Sequence, residues 1–248
     1  MLACANENPF KWIEYGRLPL RHPYQESQGN TVANLLPQTF EAYVKILHRI
    51  DVRYDWLDNS LSPKEMQILG MHSCRQLEEF AKSIRDKSST RVRWREICAL
   101  LDLPFSAGIT DDWFRERVES GCWPRYFYGP PDCCGLESEE LSELIQTISI
   151  QSEPESCFVR LPQTPYIGTD KRLLYQGRFN DLIGLAEETP PEYWWPTSED
   201  WCVCSDYDLP FTVVGGKHRF IDQIVSNPLL ESVPVAPSTR IDYKSPIA

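Results

Sequence analysis

At 248 residues the chain is long enough to bury a core unaided, and 42% apolar with 25% charged residues are globular proportions, neither disordered nor membrane-like. Acidic residues outnumber basic ones 36 to 25, a formal charge of −11, so most of the surface repels a phosphate backbone. That excludes nucleic acid as the expected partner and favours a basic protein.

The densest basic run is Arg91, Arg93, Arg95, Arg115 and Arg117, but Glu96, Asp111, Asp112, Glu116 and Glu119 are interleaved with it, the pattern of a solvated, ion-paired surface. Nine cysteines, an odd number at irregular spacings, read as free thiols in a reducing compartment. The opening "MLACANENPFKWIEY" has no positive segment leading into an apolar run, and nowhere is there a stretch of the ~20 apolar residues that span a bilayer. The expectation is a cytoplasmic protein with no membrane partner.

Along the chain, "FKWIEYGRLPL" reads as a short strand or an ordered arm. "LLPQTFEAYVKILHRI" predicts a helix: Thr39 can cap it, Phe40, Tyr43, Val44 and Leu47 recur at helical spacing, and Arg49 suits its C-terminal dipole. A second helix is expected over 74–86, with Leu77, Phe80, Ala81 and Ile84 as its apolar stripe. "STRVRWREICALLDLPF" turns Val92, Ile97, Leu100 and Leu101 inward and stops at Pro104. "TDDWFRERVES" opens on Thr110 with Asp111 and Asp112 in its first turn, and "SEELSELIQTIS" from Ser138 is another capped amphipathic helix.

The polar stretch "SIQSEPES" (149–156) marks a compositional break. Beyond it "CFVRLP", "RLLYQG", "DWCVCSDYD" and "FTVV" are strand-like, "RFNDLIGLAEE" and "KHRFIDQIVSN" are helical, and "LLESVPVAP" closes the sheet or packs on it. The fold class is therefore α+β: a mainly helical N-terminal half, 1–150, packed with a mixed or antiparallel sheet in 151–248, as two regions or one continuous domain.

The chemistry-bearing stretch is "WCVCSDYDLPFTVVGG" (201–216). On a strand, Trp201, Val203, Ser205 and Tyr207 share one side, and Cys202, Cys204, Asp206 and Asp208 the other. The Asp208-Leu209-Pro210 turn returns "FTVV" as a hairpin partner, and Gly215-Gly216 releases the chain into a helix. Zinc would ask for spaced cysteine pairs, which neither Cys133-Cys134 nor Cys202-Cys204 provides, so these thiols read as buried and inert. Asp206-Tyr207-Asp208 resembles the metal-holding Asp-x-Asp of glycosyl- and nucleotidyltransferases, but no glycine-rich loop or phosphate-binding lysine accompanies it. A Cys204–His218 pair could assemble in space, yet nothing selects it among four histidines. No catalytic residue, metal or cofactor is assigned. "CWPRYFYGPP" (122–131) and "PPEYWWP" (190–196) set aromatic residues in proline-bounded connections. These either fold over the open face of the sheet or, if exposed, offer Trp123, Tyr126, Trp194 and Trp195 as binding anchors.

The C-terminal segment, with its Trp-Trp-Pro (194–196), acidic pair, Val-Gly-Gly (214–216) and Leu-Glu-x-x-Pro-Val (230–235), resembles the closing segment of an uncharacterised bacterial, actinobacterial-type protein family. "LLPQTFEAYVKILHRI" is similar to that family's opening. The resemblance implies fold boundaries and a bacterial cytoplasmic setting, and transfers no catalytic residue. A looser likeness is to acidic α+β immunity proteins of the SMI1/KNR4 type, which implies a partner covered by complementary charge. The expected function is a non-enzymatic protein-binding module, of the immunity or defence-accessory kind, acting through an acidic surface and aromatic loops. The alternative is a hydrolase or transferase centred on Asp206, Asp208, Cys204 and His218.

Overall fold

The strand-like runs beyond Cys157 and the stretch around Val44 lie in one sheet. The structure, a computed structural model, describes residues 3–4, 9–20, 29–52, 90–100, 102–110, 135–151, 156–161, 174–179, 181, 191–206 and 209–241. Two compact units divide the chain: residues 1–48 with 133–242 and Ala248, and residues 49–132 with 243–247. The first unit thus joins the N-terminal 48 residues to the C-terminal strands, instead of parting near residue 150.

Numbered along the chain, the strands are β1 (Ala3–Cys4), β2 (Ala42–Leu47), β3 (Ile50–Val52), β4 (Thr90–Val92), β5 (Cys157–Arg160), β6 (Leu174–Gly177), β7 (Tyr193–Pro196), β8 (Cys202–Cys204), β9 (Phe211–Gly216) and β10 (Ser232–Val235). The helices are α1 (Lys11–Gly16), α2 (Val32–Leu35), α3 (Trp94–Leu100), α4 (Ser138–Gln151) and α5 (His218–Ser226). In the first unit eight strands form a sheet in the order β1-β6-β5-β7-β8-β9-β2-β10. Every neighbouring pair in it is antiparallel, which makes the α+β class concrete.

One side of the sheet is a hydrophobic layer under two helices. Leu141, Leu144, Ile145 and Ile148 of α4 recur at the helical period and are buried with Phe220, Ile221 and Ile224 of α5. They close over Val44, Ile46, Val159, Trp194, Val203 and Val214 from the sheet. Across the helix pair, the Asn227 amide donates to the Thr147 hydroxyl at 3.0 Å. The Glu41 carboxylate accepts the His218 amide hydrogen, occupying one of the donors that α5 leaves open at its start.

The opposite side is covered by the N-terminal segment. Here α1 is a short helix where a strand or an arm was expected; it lays Phe10 and Ile13 inward and ends at Gly16, against Pro37. Backbone bonds from Leu18 to Ala33 and from Gln38 to Gly16 hold α1 to the α2 segment. The α2 segment is tied in turn to the chain after β10, by bonds from Val32 to Thr239 and Ala33 to Pro237.

Four other expectations are corrected. Ala42–Leu47 is a strand paired with β9 and β10, not a helix capped by Thr39. A strand covered on both sides carries no polar face, so its apolar residues fit the helical period as well as their own. The first 150 residues are not helical alone: among the described residues they supply β1 to β4 as well as α1 to α4. "PPEYWWP" is not a connection, since Tyr193–Pro196 is an interior strand buried along its whole length. Gly215-Gly216 is not a turn either: both belong to β9, and a Cβ at Gly215 would collide with the Phe40 ring, at Gly216 with Phe220.

The second unit holds the β3–β4 pair and α3, with Ile50, Val92, Trp94, Ile97, Cys98 and Ile109 buried. The α3 helix starts with the Arg93 amide donating to the Glu96 carboxylate and ends at Asp102, whose φ of 54° turns the chain as the Leu103 amide bonds back to Cys98. The expected helices over 74–86 and from Thr110 onward lie outside the described residues, as does the insert "RFNDLIGLAEE" apart from its first residues and Asp181.

Candidate functional site

Strand register places one row of side chains across the arm-covered side of the sheet: Lys45 on β2, Val213 on β9, Cys204 on β8, Tyr193 on β7 and Arg160 on β5. Residues that pair across antiparallel strands point the same way, so the register alone lines up this row once the strands have paired. The covering segment adds Phe10, whose ring meets Tyr193 edge-on at 5.0 Å, and Arg17, the residue that ends α1.

Arg17 Nη1 donates to the Tyr193 hydroxyl at 3.0 Å, and that hydroxyl donates to the Leu35 carbonyl at 3.2 Å. The Arg160 guanidinium lies 4.3 Å from the Phe10 ring centre and 5.6 Å from that of Tyr193; the Arg17 guanidinium is 5.9 Å from each. Two cations thus share one aromatic pair, and Glu192 Oε2 stands 3.3 Å from Arg160 Nε. Distance alone overstates that contact, because the Arg160 Nε–H is not aimed at the carboxylate and has no acceptor among the described residues.

At the other end of the row, the fully buried Lys45 ammonium lies 4.8 Å from the Phe211 ring, and burial lowers its pKa to about 7. Burial likewise pushes the Cys202 and Cys204 thiols well above their ordinary range, and for Cys204 the Asp206 carboxylate adds to it. Thiols held protonated in this way are neither nucleophiles nor metal ligands at neutral pH. Among the described residues no group of three or more His, Cys, Asp or Glu side chains gathers as a metal site would require.

The residues singled out in the sequence are dispersed. Trp194 and Trp195 are 1% and 0% exposed, so neither can anchor a partner. Alternation along β7 sends Trp194 into the helix-side layer against Trp201 and Phe179, and Trp195 to the arm side against Phe10, Trp12 and Phe158. Trp123, Tyr126 and Asp208 lie outside the described residues. Cys204 faces the arm while α5, which begins with the exposed His218, packs on the other side; the sheet separates the thiol from the imidazole. Asp206 is half-buried beyond the end of β8. Sequence reading missed Arg17, Arg160 and Glu192: the one arginine of "CFVRLP" cannot be told by spacing from a solvent-facing strand residue.

The outer surface of the helix pair is acidic on α4, with apolar spots. There Glu139 is exposed and Glu143 half-buried with no lysine or arginine beside them, whereas α5 exposes both Arg219 and Asp222. Ile150 is 72% and Leu229 48% exposed near the ends of the two helices. Beside β8, Lys217 Nζ pairs with Asp200 at 2.9 Å, which lowers the carboxyl pKa and raises that of the ammonium. No helix among the described residues is long and apolar enough to cross a membrane. No protein-family model, curated protein or solved structure matches the chain.

Proposed function

We propose that this chain is a non-enzymatic, cytoplasmic protein-binding module of the immunity or defence-accessory kind, which holds a basic protein on the outer surface of α4 and α5. The observation that carries the reading is α4 itself: Glu139 and Glu143 reach its surface, no basic residue accompanies them, and Ile150 is exposed near its end. The helix's own dipole adds negative potential at that end, since no basic side chain occupies its last turn. A total charge of −11 extends the field that would draw in a cationic partner, and Ile150, Leu229 and Val225 supply apolar contact once it has docked. The likeness to SMI1/KNR4-type immunity proteins points the same way. The enzymatic alternative loses support because it needs Cys204 and His218 on one surface, and they occupy two.

The test is affinity capture by the tagged chain from the cells that make it, at low and at high salt, beside a Glu139→Lys/Asp222→Lys variant. Both positions are exposed, so the variant should melt like the parent. A basic protein should be retained at low salt, released as salt rises, and retained about tenfold less by the variant. Equal retention by parent and variant, or retention indifferent to salt, overturns the assignment.

A further inference from the structure

Independently of the acidic surface, we propose that Arg17 and Arg160, set on Phe10 and Tyr193, form a binding site for a small phosphate-class oxyanion.

Three observations converge on it. First, two guanidinium groups gather on the same aromatic pair, at 4.3 and 5.9 Å from Phe10, and among the described residues Glu192 alone of the carboxylates pairs with either, so the cluster is locally cationic in a protein of net charge −11. Second, their donors are underused. Arg17 spends one N–H on the Tyr193 hydroxyl, while Arg160, its side chain 13% exposed, has a buried Nε–H without an acceptor and makes one ion pair. Each guanidinium carries five N–H donors in a rigid fork, and the one that is both buried and unmet, the Arg160 Nε–H, is costly to leave so. Third, both are held in place. Arg160 belongs to a strand paired on both sides, by β6 and β7, and the Arg17 amide closes α1 by bonding to Ile13. Ring stacking then orients the two planes before any ligand arrives.

The geometry selects the ligand class. A carboxylate has two coplanar oxygens and can serve only one fork, and Glu192 stands beside Arg160 without filling its fork. A tetrahedral phosphate presents oxygens in several directions and can bridge two forks, returning charge-assisted bonds to both. Metal cations and amines are repelled by the same pair.

Inorganic phosphate is the probe, titrated at constant ionic strength against acetate and chloride, and read by the Nε–Hε resonances of the arginines and by the melting temperature. Saturable shifts of both resonances and a rise in melting temperature are expected with phosphate and not with acetate. Arg160→Gln should weaken binding about tenfold or more, Arg17→Gln about as much, and Arg160→Lys should recover only part of it. Glu192→Gln is the decisive variant: removing the competing carboxylate should tighten phosphate several-fold, whereas a purely structural ion pair would show lower stability and no gain in affinity. A parallel arm with a phosphate monoester separates a free-phosphate site from one that reads a phosphorylated group. No saturation by phosphate in the millimolar range, equal response to acetate, or unchanged affinity in Arg160→Gln with its fold intact overturns the proposal.

Discussion

The two sides of the first unit's sheet are buried to a similar degree by opposite means. Toward α4 and α5 the contacts are mainly apolar, with Trp194, Trp201, Phe179 and Phe220 interlocked among aliphatic side chains and the buried hydroxyls of Ser205 and Thr212 bonded to each other. Toward the N-terminal segment, aromatic rings alternate with cations and thiols: Lys45 by Phe211, and Arg17 and Arg160 by Phe10 and Tyr193. The first arrangement needs mainly volume and shape, and the second also needs its charges matched. Stability should therefore reside mainly on the helix side, and sensitivity to pH and to ions on the arm side.

The sharpest way to break this contrast is to truncate one tryptophan from each side of the same strand. Trp194→Ala should cost about 3–5 kcal/mol in chemical denaturation. Trp195→Phe keeps most of the ring volume and deletes a buried indole N–H that has no acceptor among the described residues, so it should cost less than about 1.5 kcal/mol. If the two costs prove equal, the sides do not differ as described.

A smaller effect lies in pH. Burial lowers the Lys45 pKa from the ordinary 10.5 to about 7, so between those values the unfolded chain keeps a proton that the folded one has released. Stability must rise with pH through that window and level off below it. Above about 9 the thiols act in reverse. Cys202 and Cys204 stay protonated when folded, and Cys157 up to about 12, while the unfolded thiols ionise, so stability turns down again. Parent stability should climb by about 1 kcal/mol or less from pH 7 to 8, before the unfolded thiols ionise, and Lys45→Met should flatten the climb. An unchanged slope in the variant would assign it to another group. The smallest effect is a control outside both layers: Lys217→Ala, which removes the exposed pair with Asp200, should leave the melting temperature unchanged.

What could be read in the chain beforehand follows from how much each segment specifies by itself. The β8–β9 hairpin was legible, because a turn at Leu209-Pro210 joins two short runs whose alternation holds up: Val203 lies on the helix side, and Cys202 and Cys204 are buried opposite it. So was α4, where Ser138, Glu139 and Glu140 open a stripe of leucine and isoleucine at period 3.6. Neither β2 nor β7 was legible, since a strand covered on both sides loses its alternation, and a lysine in its middle mimics a solvent face. Lys45 did so in β2. The arginine cluster was invisible for another reason: Arg17 and Arg160 are 143 positions apart, and only the β5–β7 register together with the fold-back of α1 brings them onto one ring.

The placement of Cys202 and Cys204 has one more consequence. Gly215 pairs with Cys202 and carries the Phe40 ring against its backbone, while Tyr193, paired with Cys204, sits beneath Phe10. An alkylating reagent can meet these sulfurs only when the cover that Phe10 and Phe40 form opens, locally or by unfolding of the whole unit, so their labelling rate reports that opening.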